Sequence, residues 1–162
     1  MPYDVPANEY LNIKGQKTST SKNYAIWVKD FLQHFDGELL RYVLAANAPE
    51  TKDSDFSWED FQKKINTDLA NTLGNLANRV FTFAKKYFDG RIQRNKIISD
   101  YSTEILEKCL SISRKIEENY SAYQVRQAVR NCMDIARLGN KYFDETKPWV
   151  TVKENREEAE ET

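Results

Sequence analysis

The sequence predicts a mainly α-helical chain: an antiparallel helical bundle preceded by a small region of loops with one short strand. Three observations predict it. Five glycines and four prolines among 162 residues are about half the usual combined share of roughly 12%, too few turn residues for a β-sandwich or barrel. Apolar residues at Trp58, Phe61, Ile65, Leu69, Leu73, Leu76, Val80, Phe83 and Tyr87 recur at steps of 3, 4, 4, 4, 3, 4, 3 and 4, which is one face of a single long helix. The connections that follow are short, and short connections make neighbouring helices antiparallel. A chain of 162 residues with 40% hydrophobic side chains suits one modest core and excludes two large domains.

Taken in order, Tyr10 to Ile13 reads as a short strand closed by the turn Lys14-Gly15. The run from Gln16 to Lys22 has no apolar residue and is expected as a mobile surface loop. Ile26, Trp27, Phe31 and Leu32, then Leu39, Leu40, Tyr42, Val43 and Leu44, predict two short helices with a break at Gly37, the second ended by Ala48-Pro49. Ser57 followed three residues later by Asp60 resembles a capping box, with Glu59 placed well for the helix dipole, and starts the long helix that Asp89-Gly90 stops. Ile98, Tyr101, Ile105, Cys109, Ile112 and Ile116 predict a second helix. Val125, Val129, Cys132, Ala136, Gly139 and Phe143 predict a third, with Asn119-Tyr120-Ser121 as the corner between them. The first and third helices then run the same way, so Asn140 returns to the level of Arg79 to Phe88 at one end of the bundle. The third helix cannot run through Pro148, which leaves Trp149 either folded back on the bundle or offered to a ligand. Lys153 to Thr162 holds five Glu against Lys153 and Arg156 and is expected as a helical or frayed acidic tail.

Composition excludes several function classes. No stretch approaches the ~18 to 20 apolar residues of a membrane span, and the N-terminus has no basic segment followed by an apolar run; a soluble, non-secreted, cytoplasmic protein is expected. Cys109 and Cys132 lack a CxxC or a nearby His, so two reduced core thiols are expected ahead of a disulfide or a reactive thiol. The one histidine, His34, has no partners for a catalytic triad. The net charge of -1 attracts no polyanion, but the charge is uneven. Asn75 to Lys96 holds Arg79, Lys85, Lys86, Arg91, Arg94 and Lys96 against Asp89 alone, and Lys14 to Lys29 holds four lysines and no acid. Loops rich in Ser, Thr and Lys carry donors for phosphate, and an aromatic side chain beside a basic patch is what unpaired bases stack on.

Several segments also carry a resemblance. Tyr3-Asp4-Val5-Pro6, Lys17-Thr18-Ser19-Thr20-Ser21, Ala45 to Glu50 and Asp53 to Trp58, in that order and spacing, resemble the C-terminal part of methionyl-tRNA synthetases, class I aminoacyl-tRNA synthetases. Asn71 to Arg79 and Asn140 to Trp149 resemble that family's two anticodon-reading segments. The resemblance covers nearly the whole chain and implies the anticodon-binding helical domain of a class I synthetase.

The resemblance places Lys17 at the first lysine of the KMSKS loop, and Ser19 and Ser21 at its serines; this loop closes over ATP and stabilises pyrophosphate as methionine is activated. Thr20 stands where the family has its second lysine, which removes one cation, and Lys22 is the candidate that replaces it in part. Asn75, Arg79, Asn140, Pro148 and Trp149 are implied as the anticodon-reading set, with Trp149 stacking on the first base of CAU. The implied division is 1–56 for the end of the catalytic region, the loop and the stem-contact region, 57–149 for the anticodon-binding bundle and 150–162 for the acidic tail. The implied partners are a tRNA with a CAU anticodon and, in the full-length enzyme, methionine and ATP with Mg2+. The nucleotide-binding half and its zinc site are expected outside this sequence, so the chain alone is expected to bind tRNA without catalysing. The other readings are a free-standing RNA-binding or scaffold bundle related to a synthetase, and the anticodon domain of a class I enzyme for another amino acid, which leaves Pro148-Trp149 unexplained.

Overall fold

The structure is a computed structural model and describes residues 1–92 and 99–160. Ile98, Arg94 and Lys96, singled out above, lie outside the described residues, as does the end of the tail beyond 160. The chain divides into two compact units, Met1–Thr67 with Ile116–Arg130, and Asp68–Lys115 with Asn131–Thr162.

The first unit is built on a three-stranded sheet of order β2-β1-β3, from β1 (Leu11–Ile13), β2 (Gln16–Lys17) and β3 (Ser54–Phe56). Lys14 and Gly15 both have positive φ, 46° and 73°, and make the two-residue turn whose twist suits a tight hairpin; β1 and β2 pair antiparallel through Asn12 and Lys17. The polar run is therefore not one free loop, since Gln16 and Lys17 belong to the sheet and Ser19 and Tyr24 exchange backbone hydrogen bonds of 2.9 Å. β3 lies parallel to β1, Leu11 opposite Ser54 and Ile13 opposite Phe56. Two carboxylates fix this pairing: Asp53 accepts from the Tyr10 N–H (3.0 Å) and Asp55 from the Gly15 N–H (2.8 Å).

Two helices, α1 (Val28–Phe31) and α2 (Gly37–Ala46), cover the sheet, as the apolar spacing predicts. Asp36 caps α2 by accepting from the Glu38 N–H. Phe31, Val43, Phe56 and Phe61 form the buried core, with Leu11, Leu40 and Ile65 against it. Trp58 stacks on Phe31 with centroids 6.0 Å apart.

From Trp58 to Phe88 the chain is helical without a break but not uniformly wound: α3 (Trp58–Lys64) passes into a π-helix (Ile65–Gly74) and then α4 (Asn75–Phe88). The start is the predicted one, with the Ser57 hydroxyl accepting from the Asp60 N–H at 3.1 Å. The Glu59 carboxyl is held below its usual range by a backbone N–H of this first turn and then by Lys14, 3.5 Å away. Ser57→Ala should cost about 1 kcal/mol in thermal unfolding, and an unchanged melting temperature would remove the cap. The single α-helical face expected here needs correction. The wider π turns put Leu73 on the outside, 47% exposed. Gly74 suits them because a Cβ there would meet the Leu69 carbonyl oxygen at 3.0 Å.

In the second unit the later turns of α6 (Val125–Thr146) pack against α4 and against α5 (Asp100–Ser121). Phe83 meets Phe143 edge-on at 5.9 Å and Tyr101 meets Tyr142 at 5.5 Å. Tyr101 also donates to Glu145, which pushes its phenol up to about 12. Ala84, Phe88, Ile105, Met133, Ala136 and Phe143 are buried. The corner after α5 falls later than predicted, because Asn119 to Ser121 are still helical and the turn is made at Tyr123, φ 58°. Both cysteines are free, but Cys132 is exposed rather than a core thiol. The tail forms α8 (Arg156–Glu160): Ala159 is buried and Arg156 donates to the Tyr87 carbonyl at 2.6 Å.

Candidate nucleic-acid interface

The first group of sequence-predicted residues lies on the hairpin edge of the first unit. Lys17 ends β2, and its ammonium sits 4.4 Å from the centre of the Tyr10 ring, on which it rests without a carboxylate partner among the described residues. The Ser19–Tyr24 bridge folds Thr20 to Asn23 into a tight turn, closed by the Asn23 N–H on the Thr20 carbonyl at 3.1 Å. Inside that turn the Ser19 and Ser21 hydroxyls are 3.2 Å apart. Thr18, Ser19 and Thr20 form one rim of an open, mostly apolar cleft of about 850 Å³ whose floor includes Leu11, Ile13, Phe31 and Phe56. Ammonium and hydroxyl groups on a turn at the mouth of a cleft can hold a polyphosphate. Thr20 adds no charge, so Lys17 and Lys22 are the cations of this turn.

The second group converges in the other unit. Asn140, on α6, donates its amide hydrogens to the carbonyls of Thr72 (2.9 Å) and Ala136 (3.1 Å). Two carbonyls can only accept, so the amide oxygen must face the other way. It meets Asn75 Nδ2 at 3.1 Å and Arg79 Nη1 at 3.5 Å. Arg79 Nη2 donates to Asp144 at 2.5 Å, and the guanidinium lies over the Phe143 ring (4.8 Å) and the Trp149 ring (5.7 Å).

Chain stops explain how Trp149 comes to be there. α6 ends at Thr146, Lys147 turns back with φ 47°, and the buried Pro148 starts α7 (Pro148–Thr151). Proline suits the first helical position because its missing N–H has no partner there. Trp149 then lies against Phe143 at 5.7 Å while 38% of it stays exposed. The indole is folded back on the helix and still exposes part of its surface. Asn75, with its side-chain oxygen unused, and Trp149 are thus open to a ligand, whereas the amide of Asn140 is saturated by the protein.

Sequence reasoning did not find Asp144, Phe143 as the platform under Arg79, or the Thr72 carbonyl. Asp144 was legible in principle, since it stands four residues after Asn140 on one helix and shares its face. The Thr72 carbonyl was not, because it is exposed to Asn140 by the π winding of the residues around it. Lys85, Lys86 and Arg91 of the basic stretch are exposed.

The pattern of the family described as tRNA synthetases class I (M) matches residues 1–81, and that described as anticodon binding domain of methionyl tRNA ligase matches residues 95–162. A methionine--tRNA ligase of Thermococcus kodakarensis is 48% identical over 162 residues, all of this chain and 22% of that protein. One of Porphyromonas gingivalis is 43% identical over 155 residues, 94% of this chain and 23% of that protein. Among solved structures, Mycobacterium tuberculosis methionyl-tRNA synthetase in complex with methionyl-adenylate superposes with a TM-score of 0.86 at 26% identity, covering 96% of this chain and 31% of that one.

Proposed function

The chain belongs to the methionyl-tRNA ligases of class I, spanning 22% of the length of a curated relative that matches it from end to end, and on that premise we propose that it supplies the anticodon-reading and KMSKS-type parts of such a ligase. Residues 57–149 are the anticodon bundle, 1–56 the loop and stem-contact region and 150–162 the acidic tail. The observation that carries the reading is the Arg79 cluster, with an exposed indole, an open asparagine and a guanidinium held between two rings on one surface. Splayed single-stranded bases are read by such stacking and amide or guanidinium hydrogen bonds. In a CAU anticodon Trp149 stacks on the first base, Asn75 and Arg79 reach base edges, and Asn140 braces both. Pro148 fixes where the indole starts.

In the full-length ligase, acting in the cytoplasm, Lys17, Ser19, Thr20 and Ser21 face the phosphates of ATP while methionine is activated. Mg2+ accompanies ATP in that reaction, and among the described residues no three His, Cys, Asp or Glu side chains converge to hold a metal. No helix among the described residues is long and apolar enough to cross a membrane.

The test is a tryptophan-fluorescence titration of this chain with stem-loops bearing CAU or a permuted triplet. CAU is expected to bind more tightly, and equal affinity would overturn the reading. Trp149→Ala should weaken CAU binding by about 1 to 3 kcal/mol and also lower thermal stability, because most of the ring is packed against Phe143 and Arg79. A loss of stability with unchanged binding would make Trp149 a packing residue.

A further inference from the structure

We propose that Lys52, Arg126 and Arg130 form a separate anion site in the first unit, which takes a backbone phosphate of the tRNA. The inference rests on the tRNA-binding reading above but on none of the anticodon residues. These three cations, with Gln127 and Glu50, line an open pocket of about 270 Å³. Arg126 and Arg130 are four residues apart in the first two turns of α6 and therefore share a face. Lys52 comes from the segment just before β3.

Three features separate this cluster from an ordinary solvated patch. Some cations elsewhere in the fold close on a carboxylate, as Lys14 does on Glu59 and Arg137 on Asp134 and Asp68, while Lys17 rests on a ring instead. None of Lys52, Arg126 and Arg130 is ion-paired among the described residues. Glu50, in the same lining, accepts the backbone N–H of Arg126 at 2.8 Å and so satisfies the start of α6, and its single charge leaves the lining with a balance of +2 against the three cations. Finally, the Nε–H of Arg126 is buried with no hydrogen-bond partner.

The chemistry selects the ligand. Guanidinium forks and an ammonium suit the two non-bridging oxygens of a phosphodiester, each of which can accept several charge-assisted hydrogen bonds. The pocket is too open to enclose a small ion against water, so its attraction is for a phosphate presented by a polyanion, where the release of condensed counterions supplies the affinity. Such a contact positions the RNA and reads no base. The same helix carries Asn140 and Asp144 in its last two turns, so one element holds a sequence-blind contact and the two side chains that brace Arg79.

The experiment measures binding of this chain to a tRNA transcript with a CAU anticodon and to one with a permuted triplet, at several salt concentrations. Wild type, Lys52→Gln with Arg130→Gln, and Arg130→Lys are compared, all checked for unchanged melting; the substituted side chains are exposed. The double variant should lose about 5- to 20-fold in affinity for both transcripts equally, with the slope of log K against log salt shallower by about 1 to 2. Arg130→Lys should retain most of the affinity. Wild-type affinity and slope in the double variant would overturn the site even if the CAU preference is intact. Conversely, equal binding of both transcripts by the wild type, together with the loss in the double variant, would overturn the anticodon reading and leave the phosphate site standing.

Discussion

In the full-length ligase, Lys17→Ala is expected to slow adenylate formation by about 10²- to 10³-fold while leaving the affinity for methionine nearly unchanged. That is the range found when one preorganised donor is removed from a developing negative charge. The structure gives two reasons for a large effect. The backbone of Lys17 is fixed by β2 and by Asp55 holding the Gly15 N–H, so its ammonium is presented by a rigid hairpin. The ammonium also rests on the Tyr10 ring and is bound to no carboxylate among the described residues, so little must be broken for it to turn to pyrophosphate. With Thr20 uncharged, the turn has no second lysine at that position to take over. Pre-steady-state measurement of adenylate formation checks the result, and unchanged turnover would remove Lys17 from the mechanism.

The second large effect is on recognition. Arg79→Ala should weaken binding of the CAU stem-loop by about 10²-fold, roughly 2 to 3 kcal/mol, and should narrow the gap between CAU and a permuted triplet. Among the described residues Arg79 is the one side chain in contact with Asn140, Asp144, Phe143 and Trp149 together, so its loss frees the indole as well as removing a donor. Arg79→Lys should not restore the affinity, because an ammonium can neither span Asn140 and Asp144 nor lie flat on two rings. Asp144 is well exposed, with 63% of its side chain accessible, so the broken ion pair should cost little stability. Thermal melting therefore separates the two explanations: a large fall in melting temperature would mean that the binding loss is structural.

Much of this was legible because the relevant signals are local. Ser57 with Asp60, Asp36 before Gly37, and Lys14-Gly15 each state a boundary in two to four residues, and each boundary is found. The convergence of Arg79 and Asn140 followed from helix order and rise alone. What escaped were interactions between segments far apart in sequence. β3 is three residues long with aspartates on either side of Ser54, and nothing local marks Asp53-Ser54-Asp55 as a strand; it is one because Asp53 and Asp55 hold the backbone of β1 and its turn. Cys132 fell on an apolar spacing yet points outward. Phe61, Ile65, Leu69 and Leu73 follow one another at three steps of four. On an α-helix each such step drifts by about 40°, so the run was a sign of wider winding that was read as one straight face.

That winding constrains the gene in a particular way. Ten residues from Ile65 to Gly74 precede Asn75 and Arg79, and the angular position of both depends on how many residues the π turns consume. Removing one residue there would let the helix relax to ordinary α winding, with every backbone hydrogen bond still made. Because a π residue turns the chain by less than the roughly 100° of an α residue, such a change of length and winding together resets the angular position of everything downstream, and with it the placing of Asn75 and Arg79 against Asn140. The outward positions of this stretch are accordingly free to change in kind but not in number, so that insertions and deletions, rather than substitutions, are the changes it cannot absorb.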